Sequence, residues 1–269
     1  MAKPAVYRTH LGHSSTSRRR IVLRGAVLAA AGAFALGVQA QGPPFGGPPP
    51  GPPPTGKAAA LYDVTGYWIA VVSEDWRYRM ITPQKGDYTG ILLNPEGRKL
   101  ADAWDPAKDE AAGEQCKSYG APTLLRVPGR IHIAWQDDQT LKLDSDAGQQ
   151  TRLLHFSTPA AAGSSWQGVS KAAWEIVPVG RGVPSVGSLK IVTTGLKPGY
   201  LRKNGVPYSA STVLTEYFDL ASEPNGDSYL MITTTVEDPV YLSRPFLTSS
   251  HYRKLPDNRG WKPVPCSVR

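Results

Sequence analysis

Runs in which apolar and polar residues alternate, each closed by turn-forming residues, recur from about residue 58 to the end of the sequence. A period of two belongs to half-buried β-strands, so this pattern limits the fold more than any single residue does. "RIHIAW" sets Ile131, Ile133 and Trp135 against His132 and Ala134. "GYWIAVVSEDWRYRM" is rich in aromatic and β-branched residues and reads as one strand. Trp68, Ala70, Val72, Glu74, Trp76, Tyr78 and Met80 lie in phase along it, with Arg77 and Arg79 on the opposite face. Further strands are expected at "TLKLD", "TRLLHF", "KAAWEIV", "SLKIVTT", "TVLTEYFDL", "YLMITTTVE" and "LTSSHYRKL". Turn chemistry separates them at Lys197-Pro198-Gly199, Asn204-Gly205, Pro224-Asn225-Gly226-Asp227 and Pro256-Asp257-Asn258.

Helix signals are confined to one region. Asn94-Pro95 and Asp105-Pro106 each combine a capping side chain with proline at the first helical position, ahead of "EGRKLADAW" and "AKDEAA". Two short helices among so many strands exclude a βαβ fold. The expected class is mainly β: an antiparallel up-and-down barrel with one or two short inserted helices, holding one small ligand. An open sandwich is the rival architecture.

The first forty residues read as an export signal. "SRRRIVL" ends a basic leader without acids, "GAVLAAAGAFALGV" supplies a short apolar run, and Val38-Gln39-Ala40 offers a small-x-small cleavage site. The paired arginines suggest the twin-arginine route to the periplasm or beyond. The run from Gly25 to Val38 is shorter than the ~20 residues a spanning helix needs, so no stable membrane span is expected after cleavage. Residues 41–57, "QGPPFGGPPPGPPPTGK", read as an extended spacer, leaving 58–269 as one domain. The formal charge of +8 includes six leader bases (Lys3, Arg8, Arg18, Arg19, Arg20, Arg24), so eight minus six leaves +2 for the mature chain. The basic pI therefore gives no reason to expect nucleic acid as a partner.

Cys116 and Cys266 would meet an oxidising compartment, where a disulfide is the natural pairing; free thiols are the alternative. Asp144, Asp146 and Gly148 alternate like calcium ligands, but the positions that would need glycine and a bidentate glutamate hold Gln149 and His155. A hairpin tip between strands fits better. "GRGVPSVG" lacks the glycine spacing of a phosphate loop, and His132, His155 and His251 have no zinc-like spacing. Neither a metal nor a cofactor is expected.

Acids among apolar neighbours are the candidate catalytic groups. Glu74 is in phase with Trp68, Val72 and Trp76. Glu216 is in phase with Leu214, Phe218 and Leu220, and Glu237 with Tyr229 and Met231. A carboxylate on a buried face needs a partner or an altered pKa, and either makes it a candidate acid or base. His155 would serve as a proton shuttle. Ligand contacts are expected from Trp68, Trp76, Trp135, Arg77, Arg79 and Glu237. "YLRKNGVPYS" would add Tyr200, Arg202 and Tyr208 as a lid over a barrel mouth. The seven tryptophans and twelve tyrosines suit a cavity for a hydrophobic or aromatic molecule.

"GYWIAVVSEDWRYRMITPQKGDY", "GSLKIVTTGLKPGYLRKNGVPYS" and "VEDPVYLSRPF" resemble segments of exported bacterial proteins of unassigned function with a lipocalin-like β-barrel. Gly66-Tyr67-Trp68 is similar to the Gly-x-Trp near the first lipocalin strand. The resemblance implies a barrel and an exported life, and supplies no catalytic residues. The leading expectation is a periplasmic barrel that binds a small hydrophobic or aromatic molecule. A cofactor-free isomerase, cyclase or lyase using Glu74, His155 and Glu216 is the second. An accessory subunit exported with a partner protein is the third.

Overall fold

The computed structural model describes residues 54–158, 164–177, 180, 182 and 185–268, all within the unit Gly51–Arg269. The expected export signal and most of the spacer lie outside the described residues, as does part of the glycine-rich stretch 180–187. Strand β1 spans Gly66–Val71. A long excursion then carries α1 (Trp76–Met80), α2 (Pro95–Asp102), α3 (Pro106–Ala111), a 3₁₀ turn at Gln115–Tyr119 and α4 (Ala121–Leu124). Next come β2 (Arg130–Asp137), β3 (Thr140–Ser145), β4 (Ala147–Gly148), β5 (Gln150–His155), β6 (Val169–Val177) and β7 (Val186–Thr194). A small hairpin of β8 (Gly199–Arg202) and β9 (Val206–Tyr208) precedes β10 (Val213–Ser222), β11 (Ser228–Glu237), β12 (Phe246–Leu255) and β13 (Val264–Pro265).

Nine strands close a barrel in the order β1-β12-β11-β10-β7-β6-β5-β3-β2. Neighbours around the wall are neighbours in chain order, which is the up-and-down connectivity that short turns predict. Full antiparallel pairing fails at one seam, where β5 and β6 run parallel through Leu154↔Ser170 and His155↔Lys171. A ring with an odd number of strands cannot alternate direction all the way round, so one parallel neighbour is unavoidable. β5 ends at His155 and β6 begins at Val169, a separation long enough for the crossover that a parallel pair needs.

Inward-pointing strand residues form one cluster that includes Trp68, Ile131, Leu143, Leu154, Phe218 and Tyr252, while Leu214, Val236 and Phe246 join a second with Ala101, Leu201 and Tyr208. The barrel is filled by side chains, as small barrels are. Trp68 is fully buried and donates its indole N–H to the Val64 carbonyl at 3.0 Å. Trp135 packs against Phe156 at 5.4 Å between ring centres. Both tryptophans belong to the core and its edge.

The two expected helices form where their caps stand. The Asn94 Oδ1 accepts from the Gly97 N–H at 2.9 Å, and the Asp105 Oδ1 accepts from the Ala107 N–H at 3.1 Å. Asn94 also donates to the Val240 carbonyl at 2.8 Å, tying the helix start to the strap after β11. Asn94→Ala should therefore lower stability by about 1 kcal/mol, read as a reduced urea midpoint at unchanged slope.

The Asp144–Gly148 stretch is a hairpin tip, since Ser145 pairs with Gln150 across it. Gly148 takes φ 81°, and a Cβ there would lie 2.3 Å from the Tyr119 ring, so glycine is required by both backbone and space. Asp146 is buried and accepts the Arg130 N–H at 2.7 Å, while its backbone carbonyl accepts from the Val264 N–H. Its role is to fasten the tip and the C-terminal segment together.

Three expectations require correction. "GYWIAVVSEDWRYRM" is not one strand: β1 ends at Val71, and Trp76–Met80 is helical, so the alternating faces proposed beyond Val71 do not exist. The excursion carries four α-helices rather than one or two, because α1 and α4 form without the capping side chains of α2 and α3. Glu237 does share a face with Met231, but that face looks outward; Leu230, Ile232 and Val236 are the buried residues of β11.

Candidate functional site: an arginine-walled pocket at the helical end

The chain leaves β1 through Asp75, which adopts φ 50°, ψ 26°. Aspartate tolerates this left-handed region better than most residues. The Asp75 carbonyl then accepts from the Tyr78 and Arg79 N–H groups at 2.8 and 3.1 Å, starting α1. Helical spacing sends Trp76 and Met80 outward, exposed, and turns Arg79 inward.

Arg79 is only 9% exposed. Its Nε donates to the Arg126 carbonyl at 2.9 Å, but Nη1 and Nη2 have no hydrogen-bond acceptor. The nearest carboxylate oxygen, Glu74 Oε2, stands 3.7 Å from Nη1. Glu74 Oε1 lies 2.8 Å from His251 Nδ1 on β12, so that carboxylate is shared. Burial lowers the Arg79 pKa, and the nearby charges of Tyr252, Glu74 and Asp75 only partly offset this.

Two more buried guanidinium groups complete the wall. Arg126, in the turn after α4, donates to Asp75 Oδ2 at 2.9 Å and to the Thr248 hydroxyl, and it lies over the Phe246 ring. Arg202 ends β8 just past a register shift, which re-aims its side chain. It stacks over the Tyr78 ring at 4.1 Å and donates from Nη1 to the Thr89 carbonyl at 2.7 Å, while its Nε has no partner. Burial lowers the pKa of both groups, with Asp75 the leading opposing charge in each case.

These three arginines face a cavity of about 360 Å³. Its remaining walls include Ile81, Val127, Leu201 and, from the tip and tail, Ala147 and Val264. Tyr119 and Lys203 stand at one side, with Lys203 Nζ donating to the Tyr119 hydroxyl at 2.7 Å. Burial pushes the Tyr119 hydroxyl up, but its bonds to Lys203 and Ser267 outweigh this and leave its pKa below the ordinary value. Among the described residues no carboxylate lines the cavity: Glu74 and Asp75 reach the arginines from outside it. The site is thus a largely apolar chamber with buried positive charge on one wall.

Of the residues expected to bind a ligand, Arg79 and Arg202 meet here. Arg77 is exposed and pairs with Asp87 at 3.1 Å, and Trp76 lies on the outer side of α1. Tyr200 and Tyr208 line a separate, smaller hollow beside Trp104, where the Tyr200 hydroxyl donates to Asp109 at 2.9 Å. The β8–β9 hairpin that carries them packs against α2 and the 3₁₀ turn beside the barrel.

The three expected acid–base residues do not assemble. Glu216 points inward as its phase predicts, but Arg152 grips both of its oxygens, at 3.2 and 2.6 Å. His155 lies on the outer face of β5, because Arg152 and Leu154 take the inner one. Glu74 sits at the helical end with Arg79 and His251. Arg126 and Arg152 are not among the residues expected from sequence, although "TLLRVPG" and "TRLLHF" each set an arginine in apolar company.

No protein-family model, curated protein or solved structure matches this chain.

Proposed function

We propose that this protein is an exported β-barrel that binds a small amphipathic anion, in the arginine-walled pocket at its helical end. The observation that carries this reading is the gathering of three buried guanidinium groups, Arg79, Arg126 and Arg202, at the wall of one cavity, with Arg79 standing 3.7 Å from its nearest carboxylate oxygen. A buried charge without full compensation is costly. A carboxylate or phosphate in the cavity would offset this charge, and the apolar walls suit the body of the ligand.

The expected hydrophobic ligand thus gains an anionic head and moves from the barrel interior to its end. The basic leader with its short apolar run supports export. So does the Cys116–Cys266 disulfide, which suits an oxidising compartment.

Titration calorimetry with hexanoate, hexanol and hexylamine tests the reading. Hexanoate should bind, while the alcohol and the amine should not bind measurably. Arg202→Gln should weaken hexanoate by about tenfold to a hundredfold, the range for one hydrogen bond to a charged group. Equal binding of hexanol and hexanoate would show that the arginines do not select the ligand.

A further inference from the structure

The pocket's apolar lining does not stop at its mouth. Met80 and Ile81 line the cavity and are nevertheless 59% and 65% exposed, and Val264 on the opposite side is 43% exposed. Trp76, beyond the lining, is 60% exposed. Trp76 and Met80 are four residues apart on α1, so their side chains lie in line on one helix face. Ile81 follows directly in extended conformation, at φ −128°, ψ 134°. An apolar strip therefore runs from the arginine wall out over the mouth and along α1.

Isolated exposed apolar residues are ordinary, but a row of them leading out of a charged pocket is not. A compact acid, such as an aromatic carboxylate, would end inside the cavity and leave Ile81, Met80 and Trp76 in water. A flexible chain leaving the cavity would cover them. The strip's charged neighbours are already paired, Arg77 with Asp87 and Asp75 with Arg126, at 3.1 and 2.9 Å.

Resting on the anion reading above, we infer that the ligand is a single-chain aliphatic anion, an alkyl carboxylate or an alkyl phosphate. Its head sits at the wall where Arg79, Arg126 and Arg202 meet, and its chain leaves over Ile81, Met80 and Trp76. The two head groups share the anionic oxygens that the arginines recognise.

The test is a chain-length series measured on the intact exported protein. Butanoate, octanoate and dodecanoate are titrated below their micellar concentrations, with dodecyl phosphate in parallel. Affinity should rise about twofold to fourfold per added methylene, the gain expected for partial to full burial of each group. Trp76→Ser should leave butanoate binding unchanged and weaken dodecanoate by about fivefold. Trp76 is exposed, so its replacement should not disturb folding.

If butanoate and dodecanoate bind equally, or if Trp76→Ser leaves dodecanoate unaffected, the chain inference is wrong while the anion reading stands. If no acid of any length binds, the reading beneath it is wrong as well. A preference for dodecyl phosphate would identify a phosphate head, and the reverse a carboxylate; either preference, together with the chain-length gain, supports the inference.

Discussion

Arg152→Met, made while Glu216 is kept, should cost about 3–5 kcal/mol of stability, the usual result of stripping a buried charge of its partner. The Arg152 and Glu216 side chains are 0% and 1% exposed. Arg152 Nη2 also donates to the hydroxyls of Ser170 and Thr193, at 3.4 and 3.2 Å, and those hydroxyls bond each other at 2.7 Å. The four residues come from β5, β6, β7 and β10, which are successive around the wall. The network therefore bridges the parallel β5–β6 seam, where only two residue pairs hold the strands in register.

Removing Arg152 alone would leave the buried Glu216 carboxyl without its ion-pair partner. Removing both, as Arg152→Met with Glu216→Leu, should recover most of the loss, because shape-matched apolar residues often replace a buried pair at little cost. Urea unfolding of the two single variants and the double variant measures this directly. A single variant within about 1 kcal/mol of the parent would show that the pair is not the uncompensated burial described here.

The same network shows what the sequence could and could not reveal. Alternation identified nearly every strand, because one buried face imposes a period of two. It could not fix the phase of "TRLLHF", where Leu153 and Leu154 place an apolar residue on each face. Only the three-dimensional pairing shows Arg152 inside and His155 outside. The hairpin tip and both capped helices depend on local chemistry, and the disulfide on there being just two cysteines to pair, so these could be read directly. The end of β1 could not, because "SEDWRYRM" has a strand-like composition and the break depends on the positive φ of one aspartate. The pocket was hidden for a related reason. Its arginines come from three loops or element ends far apart in the chain, and no spacing rule joins residues 79, 126 and 202.

Replacing both cysteines with serine should cost about 3–5 kcal/mol and weaken the pocket as well. The disulfide joins residues 150 positions apart, and opening so long a loop frees much of the unfolded chain in the entropy account of cross-links. A second effect is local. Cys266 is flanked by Val264, which lines the pocket and pairs in β13 with Ala147 of β4, and by Ser267, which lies 3.2 Å from the Tyr119 hydroxyl. Two paired residues are a weak hold by themselves, so the covalent link keeps this wall in place. In the double variant, thermal unfolding should begin several degrees lower. Hexanoate affinity measured well below that transition should also fall, since the wall loosens before the barrel does. Loss of stability with unchanged affinity would mean that the tail fastens the fold but does not shape the site. Unchanged stability would overturn the role given to the cross-link itself.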